Sequence, residues 1–457
     1  MPDSARHTPR RTRSHGWWAR LSESIESRLW PLPLAAVILS VGLGLLLPRV
    51  DLLVDDSLPD AVDSVVFNGG ADSARSVLSA IAGSLITATS LTFSLTVIAL
   101  QLASSQGSPR VLRLFARDRQ VHFTLAAFLG TFAYSLTVLR TVRSDENGDP
   151  PFIPRISVTV AFGLTLLSVV MLVFFLAHLA AQLRIETMLR DIHGETDSTI
   201  DLVSGRNAEV DAFRGDVRVP TLKHPVAAPS SGFITNLDHR ELVALASQRE
   251  VVVQLSRKVG DSVVAGTPLA HWWPSRADAT ADADEVESAV QSSFSIGYER
   301  TAADDVDFGL QQTIDIGLRA LSPGLNDPTT AVHALGHLTA ITARLLQIPR
   351  LPEALADGDG RLCVLTVVRS PADEIDAALT PIRHYGATHP SVTTRFLQAV
   401  SELHLLTDDA EVEDALLAQL DALTAQLQSS DGDPATIDTM LSQTRETRRR
   451  LIDGSSL

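Results

Sequence analysis

Four long apolar runs in the N-terminal part constrain this chain more than any other feature. They cover about residues 31–47, 77–103, 121–142 and 156–183. Each run is close to or longer than the ~20 residues that cross the hydrocarbon core of a bilayer. The rest of the chain has scattered acidic and basic residues, as soluble proteins do. The sequence therefore predicts a four-helix transmembrane domain at 31–190, followed by a large soluble part.

Charged residues around the runs predict the orientation of the chain. Residues 1–30 form a basic tail, arginines cluster between the second and third runs, and aspartates follow the first run. The clustered arginines are Arg110, Arg113, Arg117 and Arg119. The aspartates after the first run are Asp51, Asp55, Asp56, Asp60, Asp63 and Asp72. Since positive charge stays on the cytoplasmic side, we expect both termini in the cytoplasm of a bacterium and the spans in its inner membrane. No small-residue cleavage pattern follows the first run, which favours a retained anchor over a removed signal peptide.

The arginine-rich loop has a helical pattern of its own. Ser108 suits an N-cap and Pro109 a first turn, which would place Arg110, Arg113 and Arg117 on one face. This pattern is typical of a short helix that lies on the inner headgroup surface. A simple elbow that obeys the positive-inside rule is the alternative interpretation.

The soluble part changes character along its length. Residues 205–275 contain short β-prone runs separated by glycine turns, and residues 259–269 resemble the hammerhead half of biotinyl/lipoyl barrel-sandwich domains. Lys258 precedes the turn and no lysine occupies a hairpin tip, so we interpret a structural module and not a carrier of lipoate or biotin. Residues 282–457 are predicted to be mainly helical, with a short strand at 362–368. The predicted fold class is an α-helical polytopic membrane domain followed by a cytoplasmic α+β part, which comprises a small barrel-sandwich-like module and a helical domain.

The second span is unusually rich in serine and threonine. At 100° per residue, one sector collects a polar stripe, and a second sector collects further threonines. The pore-lining candidates of the stripe are Ser84, Thr87, Ser90, Ser94 and Gln101, and Ser105 falls in the same sector. The second sector comprises Thr89, Thr92 and Thr96. Repeated around a symmetric homo-oligomer, the stripe would line a pore for ions. The alternative is that small hydroxyl residues let helices pack closely and bond to one another.

The densest polar segment spans residues 297–331. Its candidate ligand or regulatory residues are Glu299, Arg300, Asp304, Asp305, Asp307, Asp315, Arg319, Asn326 and Asp327. Such carboxylates suit a cation or small-ligand site, or an acid/base pair. Local explanations compete with these: Asp304 and Asp305 suit a helix N-terminus, residues 315 and 319 an i,i+4 pair, and Asp327 an N-cap.

No catalytic residue can be assigned. His333 and His337 have a spacing that suits one metal ion, but no third ligand is evident, so they are weak metal candidates. The sequence contains no phosphate-binding glycine loop or nucleophile elbow, and we expect no cofactor. Cys363 is the single cysteine, and a net charge of -16 argues against nucleic acid as a partner.

Two long motifs carry a family resemblance. Residues 84–119 and 298–331 resemble a widespread bacterial family of predicted membrane proteins with a domain of unknown function. The resemblance implies an inner-membrane location and supplies no catalytic residue to transfer. The sequence favours a homo-oligomeric channel or channel-like transporter gated by its cytoplasmic domain. The alternatives are a membrane-anchored scaffold or ligand sensor without a pore, and a membrane-bound hydrolase that uses residues 304–315.

Overall fold

The chain forms two compact units that divide between Arg184 and Ile185. The computed structural model describes residues 30–54, 66–106, 118–144, 152–276 and 281–453. The predicted basic tail before Trp30 and the predicted surface helix between the second and third spans lie outside the described residues.

The N-terminal unit contains four helices that are long and apolar enough to cross a membrane. They are α1 (Pro31–Val54), α2 (Ala71–Gln106), α3 (Arg119–Leu139) and α4 (Arg155–Gln182). The two later helices begin and end within three residues of the predicted spans. The first continues through Pro48, and the second begins six residues before the predicted start at 77.

The third helix, α3, lies at the centre of this unit and packs against α1, α2 and α4. Tyr134 is fully buried and donates a hydrogen bond to the Ser157 carbonyl oxygen at 3.1 Å. The outer surfaces of the other helices remain apolar and exposed, as at Leu39, Phe93 and Phe174. Exposed apolar surface of this extent is what a helix presents to lipid.

A buried carboxylate joins α1 to the start of α4. Asp51 is only 2% exposed. It accepts hydrogen bonds from the backbone N–H of Ile156 at 2.7 Å and of Ser157 at 3.1 Å, and from the Ser157 hydroxyl at 2.5 Å. The residue at the N-cap position is Pro154, which provides no side-chain cap. The first orphan N–H groups of α4 are therefore satisfied from another helix.

The C-terminal unit combines helices and strands. Its helices are α5 (Ile185–Asn207), α6 (His239–Gln248), α7 (Ala283–Ser292), α8 (Val306–Ala320), α9 (Pro328–Gln347), α10 (Pro371–Gly386), α11 (Pro390–Leu405), α12 (Ala410–Gln428) and α13 (Pro434–Asp453). Its strands are β1 (Asp211–Ala212), β2 (His224–Ala227), β3 (Gly232–Leu237), β4 (Val251–Leu255), β5 (Ser262–Val263), β6 (Pro268–Pro274), β7 (Phe294–Gly297), β8 (Ala354–Ala356) and β9 (Leu362–Leu365).

The strands form two open sheets, so the expectation of a barrel-sandwich-like module needs correction. One sheet has six strands in the order β1-β8-β9-β4-β6-β2, and the other has three in the order β5-β3-β7. Strands β4 and β9 pair in parallel, whereas the other neighbours are antiparallel. Two strands of the larger sheet come from residues 354–365, far beyond the predicted module at 205–275. Glycine turns indicate local hairpins and cannot reveal such distant pairing.

Two hydrophobic cores support the unit. One lies among α8 to α13 and includes Leu335, Phe396 and Leu420, all at most 1% exposed. The other lies between the six-stranded sheet and its helices, where Leu242 and Val253 are fully buried. The segments that join the two cores, after β4 and before α8, carry the charged residues considered next.

Candidate functional site

The predicted stripe on α2 lies on a face that the described residues of the N-terminal unit leave uncovered. All five of its residues are exposed: Ser84, Thr87, Ser90, Ser94 and Gln101. Thr92 and Thr96, from the second sector, are buried, and Thr89 is half-buried. The two sectors predicted from sequence therefore lie in different surroundings, one open and one against the helices of the same unit.

The hydroxyls of α2 bond mainly to their own helix. Thr87 donates to the Gly83 carbonyl oxygen at 3.0 Å and Thr89 to that of Leu85 at 2.7 Å. Such back-bonding satisfies the donor without a second helix. The hydroxyl oxygen of buried Thr92 has no partner among the described residues. The stripe thus leaves acceptor lone pairs on the outer face of an apolar helix.

The candidate ligand or regulatory residues of the polar segment 297–331 do not all lie at one place in the fold. Asp304, Asp305 and Asp307 line one cavity, at the start of α8. The others lie elsewhere: Glu299 is exposed, and Asp315 accepts a hydrogen bond from Gln311 one turn earlier on α8 at 2.8 Å. Arg319 lies half-buried on the last turn of α8.

The loop before α9 provides the remaining two predicted residues. Asn326 adopts a left-handed backbone conformation with φ of 47°. Asp327 caps α9 by accepting hydrogen bonds from the N–H groups of Thr329 and Thr330, each at 3.1 Å. The bond from the Thr330 hydroxyl is the main reason why the pKa of Asp327 is lowered. These contacts give both residues a role in ending one helix and beginning the next.

The Arg300–Asp305 ion pair is the most buried one at the cavity. The guanidinium donates two bonds of 2.8 and 2.9 Å to the carboxylate, and the two side chains are 18% and 3% exposed. Asp305 also caps α8 through the N–H of Phe308 at 3.1 Å. Gly260 touches this pair: a β-carbon there would lie 2.5 Å from an Asp305 oxygen, and its φ of +91° favours glycine. The turn after β4 therefore packs directly against the ion pair.

Asp307 lies between two cations. Lys258 pairs with one of its oxygens, and Arg369 with the other at 2.7 Å. Arg369 is also 3.6 Å from Glu374, whose Oε2 is buried and accepts no hydrogen bond in the described chain. Burial, followed by the nearby Asp307 charge, raises the pKa of Glu374. Lys258 comes from the turn after β4, whereas Arg369 and Glu374 lie just before and in the first turn of α10.

The third carboxylate of the cavity, Asp304, is held by α5 and β3. It accepts from the Arg206 guanidinium and from the Asn236 amide. His239, at the start of α6, lines the same cavity. Burial is the main reason why the pKa of His239 is lowered to about 4. The Arg206 charge also lowers this pKa, whereas the Asp238 charge raises it. The imidazole is therefore neutral at pH 7.

The cavity has a volume of about 220 Å³. Its walls are largely apolar, from Leu237, Leu255, Val306, Leu345, Ile348 and Val367. Its lining also includes Arg257, Arg350, Arg369 and Glu374, which sequence reasoning missed. They lie before or well after the acidic segment, and no local pattern marks them. The predicted segment supplies only one edge of the cavity.

The two candidate metal ligands differ in their surroundings. His333 is exposed, whereas the Nδ1 of His337 lies 2.9 Å from the Nδ1 of His193 on α5. Burial, followed by the charges of His193 and His333, lowers the pKa of His337. Within the described chain, no group of three or more histidine, cysteine or acidic residues is arranged to hold a metal ion.

Four apolar helices with exposed outer surfaces, followed by a mixed helical and sheet-containing unit, define a membrane protein with four candidate spans. The chain belongs to the family described as Predicted membrane protein (DUF2254), whose profile matches residues 26–402. The resemblance inferred from the two motifs is thereby confirmed.

Relatives are found among mycobacterial proteins. An uncharacterized protein of Mycobacterium tuberculosis strain H37Rv and one of Mycobacterium bovis are each 34% identical over 381 residues, which is 82% of this chain and 72% of the relative. A protein of M. tuberculosis strain CDC 1551 is 33% identical over the same span. No solved structure matches significantly.

Proposed function

We propose that this membrane protein is a homo-oligomeric channel or channel-like transporter, in which the outer face of α2 borders the passage. One observation carries the proposal: the five stripe residues are all exposed, on a helix whose other face packs within the unit. Ser84, Thr87 and Ser90 lie near the middle of a candidate span of 32 residues. Polar groups at that depth favour water or a second protein surface over lipid.

Symmetry would turn this face into a pathway. Copies of the chain arranged in a closed ring, the usual form of homo-oligomers, would bring several stripes around one axis. Hydroxyl oxygens would then replace part of the hydration of a passing ion. The lone pairs that back-bonding leaves unused on Thr87 suit this role.

The orientation proposed is the one expected from sequence. The arginine-rich loop and the basic tail favour a cytoplasmic side that also holds the whole C-terminal unit. We place the protein in the bacterial inner membrane, with the C-terminal unit positioned to gate the passage in response to a cytoplasmic signal. A protease added to sealed inverted inner-membrane vesicles is expected to remove the C-terminal unit, whereas sealed right-side-out vesicles should protect it.

The test is ion flux through purified full-length protein in liposomes. Thr87→Leu combined with Ser94→Leu should reduce flux by at least tenfold, because leucine removes oxygen ligands and narrows the passage. The matched control compares Thr87→Val with Thr89→Val, since both hydroxyls bond to their own helix but Thr87 is exposed and Thr89 half-buried. Flux should fall only for Thr87→Val. Equal fluxes for all variants would contradict the proposal.

A membrane-anchored ligand sensor is the second candidate function. The cavity beside Asp304, Asp305 and Asp307 favours it, because this cavity has charged and apolar lining residues from several segments. In that case the four helices only anchor the chain, and the Thr87→Leu/Ser94→Leu variant would have no flux to lose. Ligand binding to the cavity would be unchanged in the same variant.

A further inference from the structure

The carboxylates around the cavity already have cationic partners. Asp304 pairs with Arg206, Asp305 with Arg300, Asp307 with Lys258 and Arg369, and Glu374 approaches Arg369. These are four acidic and four basic side chains. A carboxylate held in this way is a poor ligand for a further cation, because the cation would have to displace a hydrogen-bonded base.

Two arginines that line the same cavity lack such a partner among the described residues. Arg257 and Arg350 are both exposed, and neither guanidinium pairs with a carboxylate in the part of the chain that the structure describes. Among the described residues, the one hydrogen bond of the Arg257 guanidinium is a long one of 3.5 Å to the carbonyl oxygen of Ser256. The lining holds four carboxylates and four cationic side chains. Because Arg206 and Arg300 reach two of those carboxylates from outside the lining, Arg257 and Arg350 remain available to an incoming anion.

The apolar wall adds a second requirement. Leu255, Leu345, Ile348 and Val367 lie beside the two arginines in the lining. Val367 is 39% exposed although it is apolar, so it offers surface that a ligand can cover. The volume of about 220 Å³ is below the ~300 Å³ of ordinary small-molecule pockets, which limits the ligand to a small body.

We propose that this cavity binds a small amphipathic anion, with its carboxylate or phosphate held by Arg257 and Arg350 and its apolar body against the wall that includes Leu345 and Val367. Guanidinium groups suit this role because their planar donors match two oxygens at once. The inference is independent of whether α2 borders a passage, since it concerns the C-terminal unit alone.

The test is isothermal titration of the full-length chain in nanodiscs, with empty nanodiscs as the blank. The probes are 3-phenylpropionate and phenyl phosphate, which share a ring and differ in the anionic head. Phenethylammonium carries the same ring with the opposite charge, and propionate carries the head without the ring. We expect saturable binding of one phenyl anion per chain, and binding at least tenfold weaker for the other two molecules. The stronger of the two phenyl anions identifies the head group.

Matched variants separate the cavity from general charge effects. Arg257→Gln with Arg350→Gln should weaken binding of the phenyl anion by roughly tenfold or more, the size expected when a charged contact is lost. Arg448→Gln removes an exposed arginine that pairs with Asp421 outside the cavity and should leave binding unchanged. Val367→Trp should abolish binding by filling the space while leaving both arginines in place.

Three results would overturn the proposal. They are no saturable binding of either phenyl anion above the blank, equal binding of phenethylammonium, and binding that survives both the double arginine variant and Val367→Trp. Circular dichroism and the melting temperature of each variant show that it is folded, so a loss of binding is attributable to the cavity.

Discussion

The two units treat polar and apolar groups in opposite ways. In the N-terminal unit, large apolar side chains such as Phe174 are exposed and threonine hydroxyls bond to their own helix. In the C-terminal unit, apolar side chains fill two cores and charges pair between distant segments. The candidate sites depart from these patterns: exposed hydroxyls on an apolar helix, and two cavity arginines without a carboxylate partner among the described residues, beside carboxylates that are paired.

The largest expected effect concerns the buried ion pair of the C-terminal unit. Arg300→Ala should lower the free energy of unfolding by about 3–5 kcal/mol, because it leaves the Asp305 carboxylate buried without its partner. Urea denaturation followed by tryptophan fluorescence measures the change. Arg276→Ala, which breaks an exposed pair with Glu250, should cost at most about 1 kcal/mol. Similar losses for the two variants would contradict the contrast between buried and exposed pairs.

A smaller effect is expected in the N-terminal unit, at the buried Asp51 carboxylate that accepts hydrogen bonds from the start of α4. Asp51→Ala should destabilise the helical unit by about 2 kcal/mol, because the first N–H groups of α4 and the Ser157 hydroxyl lose their acceptor. The melting temperature in nanodiscs is the measurement. Asp72→Ala serves as the control, since that side chain is 96% exposed and pairs only distantly with Arg75. An unchanged melting temperature for Asp51→Ala would show that the cap is dispensable.

The third effect is a pH dependence confined to the C-terminal unit. Because the pKa of His239 is lowered from 6.5 to about 4, the unfolded state binds the proton more tightly. The contribution of His239 to the free energy of unfolding is therefore fully present above pH 6.5 and is lost as the pH falls toward 4. From pH 7 to pH 5, the loss should be at most about 2 kcal/mol.

Replacing the imidazole isolates this contribution. The His239→Gln variant should lose less stability than the unmodified chain between pH 7 and pH 5, measured by urea denaturation at each pH. His333→Gln, which changes an exposed histidine, should retain the full dependence. Identical pH profiles for the His239→Gln variant and the unmodified chain would mean that His239 is not the responsible group.

Sequence patterns predicted best what depends on neighbouring residues. The four membrane helices follow from long apolar runs, and the caps at Asp305 and Asp327 follow from residues one to three positions away. The division of the α2 hydroxyls into two sectors is a matter of helical period alone. Each of these features is decided within one helix or at its end.

Distant contacts could not be predicted in this way. Asp304 was expected at the start of a helix, yet it pairs with Arg206, which is 98 positions away in the chain. Arg369, which binds Asp307, is 62 positions away. The strands β8 and β9 likewise join a sheet whose other strands end at Pro274. The cavity is assembled from such contacts, so no single stretch of sequence indicates it.

If the outer face of α2 meets water, as the proposed passage requires, cysteines introduced on that face should react with water-soluble thiol reagents. Cys363 is buried and is the sole cysteine, so Cys363→Ser gives a suitable background. Single cysteines at Thr87, Ser90 and Ser94 are compared with one at Phe174, which is 61% exposed on α4. A charged, membrane-impermeant methanethiosulfonate reagent is applied to the protein in liposomes, and its rate of reaction is measured. Only a thiolate in contact with water reacts readily.

We expect rapid modification at the three α2 positions, together with a loss of ion flux, and slow modification at Phe174. Uniformly slow reaction at all four positions, with flux unaffected, would mean that the α2 face lies against lipid or protein, and would contradict the proposed passage.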